Sequence, residues 1–317
     1  MMDMITSILA ITIRAGTSLV FATIGEIFTE RAGILNLGIE GIMLMSAVTG
    51  FAASFYTQNL FIAILVAVAV GAAMAALHAL LTVTMRANQV VSGLSITLFG
   101  SGFASFLGQR LGPAANNFRL VGLKGARFTP ASFEGLSQVP ILSALANQDL
   151  LTYIVYLLIP LSWFFLYKTR PGLWLRSIGE DPQTADAMGI DVIKAKYFYT
   201  ILGGVFIALG GAHLSLSYTP GWAENITGGR GWIVVALVIF SMWNPARSIW
   251  GALLFGGINA VQFRLQASGT TIPAAFLNML PYLGTIAVLV LMTWWEALSK
   301  KVGSPAALSQ AYMREDK

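Results

Sequence analysis

The sequence predicts an all-α, polytopic membrane protein with about 8–10 transmembrane helices. Three observations predict it. Of 317 residues, 56% are hydrophobic and only 10% are charged, where soluble domains carry about 25% charged residues; too little polar surface remains to cover a water-soluble globule. Charge is also absent over long stretches, with no Asp, Glu, Lys or Arg between Glu40 and Arg86, between Lys196 and Glu224, or between Arg264 and Glu296. A spanning helix takes about 20 apolar residues, so the first gap holds two helices and each of the others one. Runs such as Ile62 to Val68 lack the period-two alternation of a transmembrane barrel strand.

Nine apolar segments follow in order, at roughly 4–24, 33–56, 60–84, 90–110, 150–167, 197–217, 231–243, 248–265 and 276–295. The first opens on Met1-Met2-Asp3 without the basic region of a cleavable signal, and Arg14 interrupts it, so it reads as a helix of the mature chain. The second carries Gly33, Gly38 and Gly41 with Asn36 among them; glycine costs about 1 kcal/mol relative to alanine inside a helix. Residues 112–149, with Pro113, Pro130 and Pro140, are too polar to span and read as an external loop. Residues 168–196 read as an internal stretch. Within it a short helix is expected, with Asp181 capping, Pro182 in the first position and Gly189 at the left-handed end. Segments seven and eight are separated only by residues 244–247 and form either a re-entrant hairpin or two tightly turned helices.

An odd number of spans puts the termini on opposite sides, and the Lys and Arg distribution sets the orientation. With 168–196 inside, that side collects twelve basic residues and the other six, with Arg14 in the first span. The whole chain then forms one transmembrane domain. The net charge of +5 is explained by these juxtamembrane cations; no basic stripe with interleaved aromatics marks a nucleic-acid partner.

Catalytic chemistry is not legible. Cysteine is absent, which removes thiol nucleophiles and thiolate metal sites. Neither a phosphate loop, H-E-x-x-H nor G-x-S-x-G occurs, so no cofactor, metal or catalytic residue is assigned. His78 and His213 lie mid-span, where polar side chains face the bundle interior and find hydrogen-bond partners. Only Arg14, Glu26 and Glu40 approach the deep ionisable groups that a proton-coupled carrier needs. Energy for transport therefore comes from another subunit.

Three motifs in order along the chain carry a resemblance. Glu30-Arg31-Ala32-Gly33 through Asn36-Leu37-Gly38-Ile39-Glu40-Gly41, then Leu175 to Pro182 continuing through Ala185, Ala187, Gly189 and Ile190, then Gly229-Arg230-Gly231-Trp232-Ile233 with Trp243-Asn244-Pro245, together resemble ABC importer permeases of the branched-chain amino acid, ribose and nucleoside group. The first motif is most similar to the nucleoside and simple-sugar permeases that work with basic-membrane-protein-type lipoproteins. The resemblance implies a nucleoside or simple-sugar importer in a bacterial inner membrane. It further implies a second, related permease subunit, ABC ATPase subunits inside and an extracytoplasmic binding protein outside. It also implies an ATPase-coupling elbow at Glu180, Asp181, Pro182, Ala185, Ala187 and Gly189. Branched-chain amino acid or monosaccharide cargo, and a stand-alone secondary carrier, remain the alternatives.

Irregular backbone is tolerated in membranes where it lines a cavity or is buried in protein, so Asn36 and Glu40 are candidates for the substrate path. Glu40 could equally pair with Arg31. Gln89, Ser92, Ser95 and Thr97 open the fourth segment with polar groups able to bond sugar hydroxyls, a base edge or neighbouring helices. Trp222, Asn225 and Arg230, set among glycines, are candidates for docking a binding protein, with an interfacial aromatic belt as the other reading.

Overall fold

A computed structural model describes residues 2–131, 140–267, 273–299 and 303–313, and every regular element among them is helical. Twelve α-helices are defined: α1 (Met2–Arg31), α2 (Ile39–Thr57), α3 (Leu60–Ala79), α4 (Gln89–Gly108), α5 (Pro140–Ala146), α6 (Leu150–Lys168), α7 (Arg170–Glu180), α8 (Pro182–Ala187), α9 (Val192–His213), α10 (Arg230–Phe240), α11 (Pro245–Ala267) and α12 (Ala274–Ser299). Each of the nine apolar segments coincides with one of them. Six are long and apolar enough to cross a membrane, namely α1, α2, α3, α4, α6 and α9. The tightly turned alternative describes segments seven and eight: α10 has only 11 residues and turns at 241–244 into the 23-residue α11.

Caps explain most of the starts. Asn59, Asn88, Asp149, Thr169, Asp181 and Asp191 each accept a backbone N–H from the first turn of α3, α4, α6, α7, α8 and α9, satisfying donors that a helix leaves open. Two helices end unusually. α3 runs into a π-turn at Leu80–Thr84 and α9 into another at Leu214–Tyr218. Each follows a fully buried histidine, His78 and His213.

Burial separates a centre from a periphery. The spanning windows of α2, α9 and α1 are 78%, 72% and 67% buried, against 28–33% for α3, α4 and α6. Lipid gives no hydrophobic drive between helices, so close approach over small residues must hold them together. A Cβ on Gly203 would strike Gly25 and Thr29 of α1, and one on Gly100 would run into the backbone of Gly41. The α1–α9 and α2–α4 crossings are thus backbone against backbone.

Contacts sort the chain into two ends. At one, the Arg31 carbonyl meets Gly179, the Arg31 guanidinium donates to the Trp243 carbonyl at 3.3 Å, and Thr84 and Tyr197 share a hydrogen bond. Arg31, Arg86, the 168–196 stretch and Arg247 therefore gather together, as the charge count expects. Lys300, Lys301, Arg314 and Lys317 lie outside the described residues. At the other end Tyr56 donates to the Leu111 carbonyl (2.6 Å), the Phe128 amide to Leu216 (2.9 Å) and the Gln109 amide to Glu224 (2.8 Å). The 112–149 loop sits there; its residues 132–139 are outside the described set.

Candidate functional site

The chain between α1 and α2 breaks helix at 32–38 and folds back into the bundle. Gly33 makes the turn with φ +80°, a conformation that costs glycine nothing. Buried backbone groups must find partners, and side chains from three helices supply them. Glu26 of α1 accepts the Asn36 amide (3.1 Å), and Gln89 of α4 accepts the Leu35 amide (2.7 Å). Thr97 of α4 donates to the Leu37 carbonyl (2.7 Å). His78 of α3 donates from Nε2 to the Leu35 carbonyl (3.1 Å) and takes the Ser92 hydroxyl on Nδ1 at 3.0 Å; a neutral ring protonated at Nε2 satisfies both. Asn36 turns its own Oδ1 onto the Gly38 amide (2.8 Å). The structure thus brings Asn36, Gln89, Ser92 and Thr97 together, all buried, as the cradle of one irregular segment.

Glu40 is the second residue of α2, in its first turn, and is 6% exposed. It does not meet Arg31, whose guanidinium is on Trp243. Instead Oε1 accepts the Thr227 hydroxyl (2.5 Å) and the Gly229 amide (3.0 Å), while Oε2 accepts the Gly231 amide (2.6 Å). A carboxylate from α2 therefore caps α10, where negative charge is favoured by the open N–H groups and the helix dipole. Arg230, beside it, donates to the Ala15 carbonyl (3.0 Å) and the Ser18 hydroxyl (3.4 Å) and lies over the Tyr218 ring at 4.9 Å. Two interrupted helices, α2 and α10, so meet start to start inside the bundle, joined by Glu40.

Of the three docking candidates, Trp222 is 4% and Arg230 7% exposed, and Asn225 is exposed with φ +54°. Residues that the sequence reading left out of the site are Glu26, His78 and Thr227, together with Glu30, which accepts the Trp243 indole N–H at the bottom of α10. An Asp149–His213 pair, 3.6 Å apart and fully buried, ties α6 to α9. The spacing of Glu26 and Glu30, four residues apart on a helix face, was the available signal.

At the charged end α7 and α8 form an elbow. Asp181 Oδ1 accepts the Gln183 and Thr184 amides at 3.0 Å each, and Gly189 closes the helix with φ +85°. The Thr184 hydroxyl and amide, ahead of any burial, hold the Asp181 carboxyl below its ordinary value. Residues 303–313 strap across the elbow: the Ala307 amide donates to Gly179 (2.9 Å) and the Ala306 amide to Glu180 (3.3 Å), while the Gln310 carbonyl takes the Gln89 side chain (3.5 Å).

The family described as branched-chain amino acid transport system / permease component matches residues 8–292. The chain belongs to this permease family. Among curated relatives, the permease is 38% identical across 99% of both chains to TsgC13 of Haloferax volcanii, an ABC transporter permease protein provisionally named for glucose. It is 34% identical to the nucleoside ABC transporter permease protein NupC of Lactococcus lactis, over 87% of this chain and 88% of that one. With the guanosine ABC transporter permease protein NupQ of Bacillus subtilis it shares 31% identity over 86% and 87%. The helical membrane bundle and the interrupted segments at its centre are thus those of an ABC transporter permease.

Proposed function

We propose that this permease forms the translocation path of an importer for nucleosides in a bacterial inner membrane. It works beside a second, related permease subunit, with ABC ATPase subunits on the cytoplasmic side and a binding protein outside. The observation that carries this reading is the meeting of two helix starts at Glu40 within an apolar bundle. Discontinuous helices at membrane depth belong where a path is built. Similarity along most of the chain to the guanosine and nucleoside permeases supports the cargo class.

Asn36, Gln89, Ser92 and Thr97 border the path in this reading by fixing where the 32–38 break sits, and Glu40 borders it by holding the start of α10. The elbow from Glu180 to Gly189 meets the ATPase, which can shift the permease only through a different affinity for its two conformations. On the other end Asn225 is available to a docked binding protein, whereas Trp222 and Arg230 are covered by the chain itself. The permease carries cargo without changing it, so no bond-making chemistry is assigned. A sugar cargo is the second reading, favoured by the 38% identity to the glucose-named relative over 99% of both chains.

The test is reconstitution of the permease with its neighbouring subunits in proteoliposomes, followed by uptake of labelled uridine, guanosine, glucose and leucine. Nucleoside uptake that needs ATP and every subunit is the expected result. Uptake by the permease alone, driven by an ion gradient, overturns it.

A further inference from the structure

A cavity of about 350 Å³ opens between α2, α4 and the loop that precedes α10. Its walls are Leu44, Ser101, Ser105, Trp222, Glu224 and Asn225, with Gly102 and Ala104 between the serines. Leu44 stands one helical turn beyond Glu40 on the same face of α2, so the floor of the cavity lies next to the junction of α2 and α10.

Its chemistry is specific. Trp222 is almost wholly buried, wedged against Gly108, and its indole N–H has no acceptor among the described residues. That N–H sits against Gly108 and outside the cavity lining, so what Trp222 brings to the cavity is aromatic surface. Glu224 uses Oε1 for the Gln109 amide, which leaves Oε2 for a second donor. Asn225 is held in a left-handed conformation at the rim, a strained placement for a non-glycine residue of the sort that clusters at ligand sites. The Ser101 hydroxyl donates to Leu98 (3.1 Å), keeping its lone pairs as acceptors. An aromatic wall, a carboxylate, an amide and two hydroxyls form the set that a neutral, hydroxyl-rich ring demands: many hydrogen bonds at fixed positions with an apolar face beside them. No Lys or Arg lines the cavity among the described residues, so the carboxylate of an amino acid would find no cation there, while its ammonium could meet Glu224.

We propose that this cavity is a vestibule subsite for a ribose- or hexose-bearing neutral cargo, favoured over zwitterionic amino acids, whose carboxylate finds no cation there. The proposal rests on the importer reading above and gives that cargo a place in the chain. Glu224 accepts a hydroxyl of the cargo, and Ser101, Ser105 and Asn225 complete the recognition. Trp222 provides the flat wall. Loss of one hydrogen bond to a charged acceptor is worth about tenfold in affinity.

The chain contains no cysteine, so one introduced thiol reports alone. In the complete reconstituted transporter, Ser105→Cys is alkylated with a maleimide in the presence of uridine, glucose or leucine. Uridine or glucose is expected to slow alkylation several-fold and leucine to leave it unchanged. Absence of protection by either hydroxylated compound, or equal protection by leucine, overturns the proposal. Ser101→Cys is the second probe if Ser105→Cys does not assemble. Glu224→Gln supplies an independent reading: uptake of uridine should lose its preference over 3′-deoxyuridine, and a retained preference counts against the subsite. If the wild-type complex imports neither uridine nor glucose, the importer reading itself fails. If it imports them without protection, only the subsite does.

Discussion

At the scale of the residue, Glu40 joins two parts of the chain that lie 187 and more residues apart. Its carboxylate takes three donors, and hydrogen bonds to a charged group contribute about 1.5–3 kcal/mol each. Glu40→Ala should therefore lower stability by about 3 kcal/mol or more, read as thermal unfolding in detergent, with Glu40→Gln intermediate because one acceptor survives. Thr97→Ala removes a single bond to Leu37 and should cost only about 1 kcal/mol. That Glu40 matters was legible, since a lone carboxylate in an apolar run is expensive and needs a partner. Its partners were not. They are mostly backbone amides of a loop far along the chain, and amides leave no trace in residue identity.

At the scale of the element, the elbow follows local rules and was readable. Asp181, Pro182 and Gly189 occupy the capping, first-turn and left-handed positions that their chemistry favours. Because the folded state depresses the Asp181 carboxyl, its capping contribution is complete above the unfolded value of about 3.9 and is lost as pH falls through the lower folded value. The helix content of the elbow, followed by hydrogen exchange, should be flat from neutral pH to about pH 4 and fall only below that. A Cβ at Gly189 meets no atom within 4 Å, so the backbone strain that Gly189→Trp adds is about 1–2 kcal/mol. The substitution should uncouple ATP hydrolysis from uptake without loss of the membrane fold. Helix crossings behave in the opposite way. Gly203→Leu must drive α1 from α9 and should cost about 1–3 kcal/mol, whereas Gly102→Ala, inside α4 with open space around it, should raise the unfolding temperature by removing a helix penalty of about 1 kcal/mol. The nine segments were visible as apolar runs because lipid imposes length and composition. The fold-back at 32–38 was visible only as a glycine cluster, for its shape depends on His78, Gln89 and Thr97 from other helices.

At the scale of the whole molecule, the described cations concentrate at the end that holds the elbow, the α10–α11 turn and the strap of residues 303–313. Orientation follows from that asymmetry. In intact cells Gln183→Cys should resist a membrane-impermeant maleimide and Asn117→Cys should react with it; the reverse pattern would invert the molecule. Nine segments were expected from sequence and six described helices are long and apolar enough to cross, while the short seventh segment, with its tight turn into the eighth, is α10. That helix has 11 residues and so reaches only about 16 Å against a hydrocarbon slab of about 30 Å. Its upper tip, Arg230, is anchored beside Ala15 and Ser18, near the middle of α1. The helix therefore starts at membrane depth, where its open N–H groups are met by Glu40 rather than by water.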